Sequence, residues 1–339
     1  MKKTTPGTNR NLPTDTMAST ISPRERMHEA AQRKLMITTA QAEHEEGDRD
    51  PVWCSKAFYG TFGDCFLQDT TLEGGQTYES IPEFVEVSKE VVRKYNNKPE
   101  LSLFQHKHVA VYNTVLDKLS AACNIYWGEV ASDAFINYLE DRAKEIKDLK
   151  VGDFLLWCGG WAGTEGGHAI MYLIDKTSKN TVSFVVINTG EGVGHHPGVG
   201  TDKEKRHTQM RLNNIPLDNV TNLSWLYFLF RIKAFGHKDH TADFFYDVVL
   251  PGLIQNSLIE SVKLSGIDKY MVAETLQRSG VCYYRCILSA TRYSMRRLGL
   301  KQNQVKQMLH VVRRGYIHRV IHDLERSHQS VLDQDPNDP

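Results

Sequence analysis

Three short apolar runs in the middle of the chain constrain its fold more than any other feature. They are Val151–Cys158 (VGDFLLWC), His168–Ile174 (HAIMYLI) and Thr181–Asn188 (TVSFVVIN). Runs of this length and composition are typical of strands that pack against a core. Because glycine-rich or polar turns separate the runs, the sequence predicts an antiparallel meander.

Segments with helical periodicity lie on both sides of these runs. Ser132 is a plausible N-cap for one helix, Pro251 interrupts another, and Gly299 is placed to end a third. The predicted helices are Ile81–Tyr95, Lys107–Leu119, Ser132–Leu149, Leu223–Phe235, Thr241–Ile259, Ile267–Gln277, Cys282–Leu298 and Gln302–Glu325. The sequence therefore predicts an α+β fold, with a small antiparallel sheet flanked by helices.

Composition divides the chain into four segments. Residues 1–50 carry few large apolar side chains and are expected to be a disordered leader, with a helical stretch around Arg24–Ala42. Residues 51–150 are expected to be mainly helical, residues 151–328 to form an α+β region, and residues 329–339 to be a disordered tail.

The charge balance and the cysteines indicate a cytoplasmic protein. Lys plus Arg equals Asp plus Glu at 41 each, which gives no general attraction to nucleic acid or anionic membranes. The six cysteines contain no C-x-x-C pair, so reduced thiols are expected. The start of the chain has no apolar signal segment, and the longest apolar run, Leu223–Phe230, is too short to span a bilayer.

The segment Leu276–Tyr293 (LQRSGVCYYRCILSATRY) places Cys282 at a turn that leads into a helix. Unpaired N–H groups and the helix dipole lower the pKa of a thiol at this position and favour the nucleophilic thiolate. Gln277, five residues earlier, can donate its amide to the oxyanion that forms when a thiolate attacks a carbonyl. These features predict thiol hydrolysis.

A thiolate nucleophile requires a base, and His168 is the best candidate. It follows two glycines at the start of a predicted strand, which leaves room for a substrate beside the imidazole. Asn188 ends the next run, and a hairpin would bring its amide oxygen to the histidine ring. Asp175 is the alternative orienting group, but it lies at the far end of the histidine strand.

The spacing from Gln277 to Cys282, followed by Tyr283 and a helix of small residues, resembles the cysteine box of papain-like peptidases. The order His168, Asn188, Gln277, Cys282 resembles that of ubiquitin-like-protein proteases and related bacterial effector peptidases. The resemblance extends over residues 150–300 at most, and it implies a papain-like cysteine-peptidase arrangement. Ala169 stands where that group usually carries an aromatic residue, and Asn188 where it usually carries an acid.

Other interpretations of the same residues remain open. Cys65, in FYGTFGDCFLQD, would give the direct papain order, although Asp64 would raise the pKa of its thiol. The adjacent His195 and His196 suggest a metal, but no carboxylate or cysteine lies nearby at ligand spacing. The chain is therefore expected to need no metal or organic cofactor.

The expected activity is cleavage of a peptide or isopeptide bond through Cys282, His168 and Asn188, with an acyl-enzyme thioester. The expected partner is a protein or peptide substrate, with ubiquitin-like conjugates as one subset, and neither nucleic acid nor membrane is expected to bind. Two other functions share the same features. One is a catalytically silent interaction module, and the other is a thiol acyltransferase such as a transglutaminase.

Overall fold

A computed structural model describes residues 77–96, 106–125, 128, 132–164, 167–200, 202–254, 258–275 and 281–333. These residues belong to one compact unit that spans Asp50–Pro339. The predicted leader with its Arg24–Ala42 helix, the alternative nucleophile Cys65 and the oxyanion candidate Gln277 lie outside the described residues.

Helices lie before and after a set of strands, as the sequence predicts. The α-helices are α1 Thr77–Asn96, α2 His106–Ala121, α3 Asp133–Asp148, α4 Leu217–Val220, α5 Leu223–Ala234, α6 Leu258–Ser265, α7 Cys282–Arg297 and α8 Gln302–Asp333. The strands are β1 Phe154–Ala162, β2 Gly167–Lys176, β3 Thr181–Ile187, β4 Gly198–Val199, β5 Asp202–His207, β6 Gln209–Pro216 and β7 Ala273–Thr275. Short 3-10 turns cover Val193–His195 and Leu250–Leu253, and a π-helix covers Phe244–Val249.

The strands form two antiparallel sheets. Within the described ranges, the larger sheet has the order β1-β2-β3-β6 and the smaller one the order β4-β5-β7. In the larger sheet Trp161 of β1 lies opposite His168 of β2, and Met171 of β2 lies opposite Ile187 of β3. The predicted meander is therefore confirmed, and β6 extends it by one strand.

Alternate residues of the larger sheet face two separate cores, because successive side chains of a strand point to opposite faces. On β2, Ala169, Met171 and Leu173 belong to the core that includes α7. Ile170 and Tyr172, between them, belong to the core that includes α3 and α5. Because both faces of this sheet are covered, β1, β2 and β3 have nearly continuous apolar sequences.

Helix α7 lies in the middle of the first core. Its start packs on β2, while Tyr284 makes edge contacts with Phe84 of α1 and Tyr316 of α8, at ring-centroid distances of 6.4 and 5.5 Å. Gly315 lets α8 approach α1 closely, since a Cβ there would lie 2.0 Å from a methyl group of Val91. The start of α7 is therefore held on several sides.

Local signals were confirmed at several helix ends. The Ser132 side chain accepts a hydrogen bond from Phe135 N, and Gly299 follows α7 with φ of 95°. The predicted helix at Ile267–Gln277 is wrong in its described part: Asp268 accepts the N–H of Tyr270 in a turn, and β7 follows. The predicted strands omitted β4, β5, β6 and β7. No helix in the described part of the chain is both long and apolar enough to span a bilayer.

Candidate active site

His168 lies at the start of β2, where Gly160 of the neighbouring strand allows a close approach. Gly160 has φ of 130°, a conformation that favours glycine, and a Cβ there would lie 2.0 Å from the His168 carbonyl oxygen. Trp161, opposite His168 in the sheet, lies against the imidazole with ring centroids 5.0 Å apart. The histidine is 5 % exposed, so both the backbone and the ring are tightly held.

Asn188 follows β3 directly and hydrogen-bonds to the histidine. Its Oδ1 lies 2.8 Å from His168 Nε2 and accepts the N–H of Gly190 at 2.9 Å. Its Nδ2 donates to the Glu191 carbonyl at 2.6 Å. The turn after β3 is therefore folded around a fully buried amide, which holds the imidazole from one side.

Cys282 is the first residue of α7. The preceding Val281 is the N-cap and makes no side-chain capping bond, and the first turn contains no acidic residue. Helices of this kind direct N–H groups and the positive end of the dipole toward a group at their start. The local sequence thus favours an anion at the Cys282 thiol.

Opposing influences act on the pKa of Cys282. Burial acts to raise it, but the hydrogen bond and charge of His168 act to lower it, as do the N–H groups of Ala169 and Tyr283. The net effect holds the pKa of the Cys282 thiol below its ordinary value. The groups that act to lower this pKa are the His168 imidazole, the backbone of β2 at Ala169 and the first turn of α7.

Cys286, one helical turn later, provides a contrast within the same helix. Its thiol donates to the Ala169 carbonyl at 3.2 Å and is fully buried. Burial raises the pKa of Cys286 to about 12. Cys282, which retains 8 % exposure, is therefore the thiol of this pair that ionises more readily.

Lys233 of α5 is a buried lysine whose ammonium group is influenced by the thiols of Cys158 and Cys282. Burial lowers the pKa of the Lys233 ammonium group on α5, while the charges of Cys158 and Cys282 act to raise it. In its charged form, Lys233 adds to the positive potential at the start of α7.

The structure brings together three of the four residues that the sequence analysis selected, namely Cys282, His168 and Asn188. The alternative orienting group, Asp175, lies seven residues further along β2. It forms ion pairs there with Arg211 at 2.9 Å and Arg297 at 2.6 Å.

Two other parts of the site were not predicted. Trp161 covers the imidazole and donates to the Glu191 carboxylate at 3.2 Å. Tyr246 accepts a hydrogen bond from Asn188 Nδ2 at 3.0 Å, although the two residues are 58 positions apart. The cross-strand position of Trp161 follows from the β1–β2 hairpin, whereas no local pattern around Tyr246 marks it.

Nothing in the described part of the chain forms a metal-binding cluster of three or more His, Cys, Asp or Glu side chains. Both ring nitrogens of His196 lie within hydrogen-bonding distance of protein groups instead. No protein-family model matches the chain. A comparison with curated proteins likewise finds no significant match.

Proposed function

We propose that this protein is a thiol hydrolase that cleaves a peptide or isopeptide bond. One observation carries the proposal: the imidazole of His168 hydrogen-bonds to the Asn188 amide, and the same imidazole acts to lower the pKa of the Cys282 thiol at the start of α7. Thiol, imidazole and amide each have the chemical type that their role requires, namely nucleophile, base and orienting group.

The first step is a proton transfer from the Cys282 thiol to His168. Because His168 Nε2 is engaged with Asn188 Oδ1, Nδ1 is the nitrogen left to receive the proton. The resulting thiolate attacks the carbonyl carbon of the substrate, and the carbonyl π electrons move to oxygen. The imidazolium then donates its proton to the leaving amine as the carbon–nitrogen bond breaks.

The second step regenerates the enzyme. A water molecule loses a proton to His168 as it attacks the thioester carbonyl, and the carbon–sulfur bond breaks to release the acid. The Cys282 thiolate recovers a proton from the imidazolium. Each oxyanion forms near the start of α7, where N–H groups and the dipole stabilise it, and Gln277 remains the predicted side-chain donor.

These contacts support the proposal of a papain-like arrangement. A helix that begins with the cysteine packs on a strand that begins with the histidine, and the orienting amide follows the next strand. The chain order of His168, Asn188 and Cys282 favours the permuted group that includes ubiquitin-like-protein proteases. Ubiquitin-like conjugates are therefore the first substrate subset to test.

The test begins with an electrophilic thiol probe at neutral pH. We expect labelling to disappear in Cys282→Ala, to weaken sharply in His168→Ala and to persist in Cys65→Ala. Cys286→Ala is a matched control, because it removes another thiol from the same helix. Burial raises the pKa of the Cys286 thiol to about 12, so this residue should not react with the probe. Labelling lost only in Cys65→Ala would assign the nucleophile to that residue.

Hydrolysis is then measured with a peptide library and with ubiquitin that carries a reactive C-terminus. Wild type should release product, and Cys282→Ala should not. Product analysis with an added amine separates hydrolysis from acyl transfer, since a transferase forms the new amide. A folded wild-type protein whose Cys282 stays inert toward iodoacetamide would falsify the proposal and favour a silent interaction module.

A further inference from the structure

The Asn188 amide has only one orientation that satisfies its neighbours. Its Oδ1 lies 2.9 Å from the Gly190 N–H, which can only donate, and its Nδ2 lies 2.6 Å from the Glu191 carbonyl, which can only accept. The oxygen is thereby identified as the atom that faces His168 Nε2 at 2.8 Å. It follows that Nε2 carries a proton, so the neutral form of the ring has its lone pair on Nδ1.

The same reasoning extends behind Asn188. Its Nδ2 donates to Tyr246 Oη at 3.0 Å, so the phenol accepts there and its own proton points elsewhere. His196 Nε2 lies 2.8 Å from that oxygen, and His196 Nδ1 lies 3.0 Å from the His207 carbonyl. Since the carbonyl can only accept, Nδ1 is protonated and Nε2 accepts the phenol proton.

Burial keeps this second histidine neutral. It lowers the pKa of His196 to about 3, so the ring remains a proton acceptor at Nε2 across the physiological range. The bonds therefore all run in one direction, from His168 through Asn188 and Tyr246 to His196 and a backbone carbonyl.

The phenol at the centre of this series is fixed in place by its surroundings. Tyr246 is fully buried on the π-helix Phe244–Val249, and the His195 ring stacks on it with centroids 4.4 Å apart. A Cβ on Gly192 would lie 2.7 Å from the ring, so the turn passes directly against it. Single π-helical turns are often found at functional sites.

We propose that Tyr246 and His196 are positioning residues, which hold His168 in the Nε2–H form with the Nδ1 lone pair directed at Cys282. Their hydrogen bonds reach His168 through Asn188 and do not involve the Cys282 thiol. This inference rests on the proposed function, in which His168 is the base for Cys282. It extends the site from three residues to five.

The primary test compares Tyr246→Phe with Tyr112→Phe. Tyr112 is also fully buried, and its hydroxyl donates to Ser88 at 2.8 Å in another part of the fold, so this control removes an equivalent group. Tyr246→Phe should lower kcat about tenfold with KM unchanged, which is the size expected for one hydrogen bond. Its rate of iodoacetamide labelling should shift to higher pH, whereas Tyr112→Phe should keep the wild-type profile.

A second pair of variants isolates the link to His196. The amide oxygen of His196→Gln can occupy the position of Nε2 and accept from the phenol, whereas His196→Asn reaches only the position of Nδ1. His196→Asn should therefore resemble Tyr246→Phe, and His196→Gln should lose less activity. This pair decides the question if Tyr246→Phe does not fold, as judged by near-ultraviolet circular dichroism.

The tautomer of His168 is read directly by ¹⁵N NMR of histidine-labelled protein, which needs no substrate. We expect Nε2–H in wild type and a tautomer mixture in Tyr246→Phe. An unchanged tautomer together with an unchanged labelling profile overturns the inference. If wild type hydrolyses nothing but the tautomer shifts as expected, the proposed function fails and the positioning role stands.

Discussion

Gly160→Ala should disturb the candidate base through the backbone alone. The added Cβ would lie 2.0 Å from the His168 carbonyl oxygen, 3.0 Å from the His168 carbonyl carbon and 3.2 Å from Ala169 Cα. All three are backbone atoms of the adjacent strand, so no flexible side chain can move aside. The substitution also places a side chain on a residue with φ of 130°.

The size of the effect follows from these distances. Raising the 2.0 Å separation to about 3.3 Å, an ordinary carbon–oxygen contact, requires a shift of about 1.3 Å between β1 and β2. Backbone strain and overpacking each cost about 1–3 kcal/mol, so the free energy of unfolding should fall by about 2–6 kcal/mol. A displacement near 1 Å at a catalytic group lowers the rate by about 10²-fold.

Gly152→Ala is the matched control for this change. Gly152 also has positive φ, at 85°, but a Cβ there would meet no atom within 4 Å. It should cost only the backbone term, about 1–2 kcal/mol. Urea unfolding measures both variants, and iodoacetamide labelling of the folded proteins reports on Cys282.

The two outcomes are clearly separated. Gly160→Ala should be less stable than Gly152→Ala, and its Cys282 should label more slowly at neutral pH because His168 has moved. If both variants unfold at the same urea concentration and label at the wild-type rate, the close approach of the strands does not position the base.

Three further changes test other parts of the site. His196 binds a proton near pH 6.5 in the unfolded chain but only near pH 3 in the folded protein, so the free energy of unfolding should fall as the pH drops below 6.5. His196 contributes up to about 1.4 kcal/mol per pH unit to this fall. Urea unfolding of His196→Gln at several pH values should show a pH dependence that is smaller by this amount. Asp175→Asn should lower the free energy of unfolding by about 3 kcal/mol, because it breaks the ion pairs with Arg211 and Arg297. It should leave the labelling of Cys282 unchanged, and slower labelling would identify Asp175 as the orienting group. Ala169→Phe should cost about 1–3 kcal/mol and slow labelling by separating α7 from β2, while Ala169→Ser, which is small enough to keep α7 on β2, should leave the labelling rate unchanged.

The proximity of Cys282, His168 and Asn188 could be predicted because each of them has a local mark in the sequence. In the sequence, Cys282 follows a glycine-containing segment and opens a helix, His168 follows two glycines, and Asn188 ends the next apolar run. Once β2 and β3 pair as a hairpin, the histidine and the amide must lie at the same end of the sheet. The contact with Cys282 needed one further condition, that α7 packs on β2.

The strands β5 and β6 were missed for a physical reason. Asp202–His207 (DKEKRH) carries charges in place of apolar alternation, and within the described ranges its partners are the short strands β4 and β7. Gln209–Pro216 contains Arg211 and two asparagines, and these polar residues are typical of a loop. The Arg211 side chain is satisfied by Asp175 and Asp268, at 2.9 and 3.1 Å, and these partners lie in distant segments.

The support behind Asn188 depends on distant segments in the same way. The amide, the phenol of Tyr246 and the ring of His196 are all buried, and a buried polar group without a partner costs about 1–3 kcal/mol. Reversing one hydrogen bond in the series would leave two donors or two acceptors facing each other, so every bond would have to reverse together. The backbone groups at the two ends, on the 188–191 turn and at the His207 carbonyl, cannot reverse. The direction of the series, and with it the proton on His168 Nε2, is therefore set by main-chain atoms that no side-chain pattern in the sequence reveals.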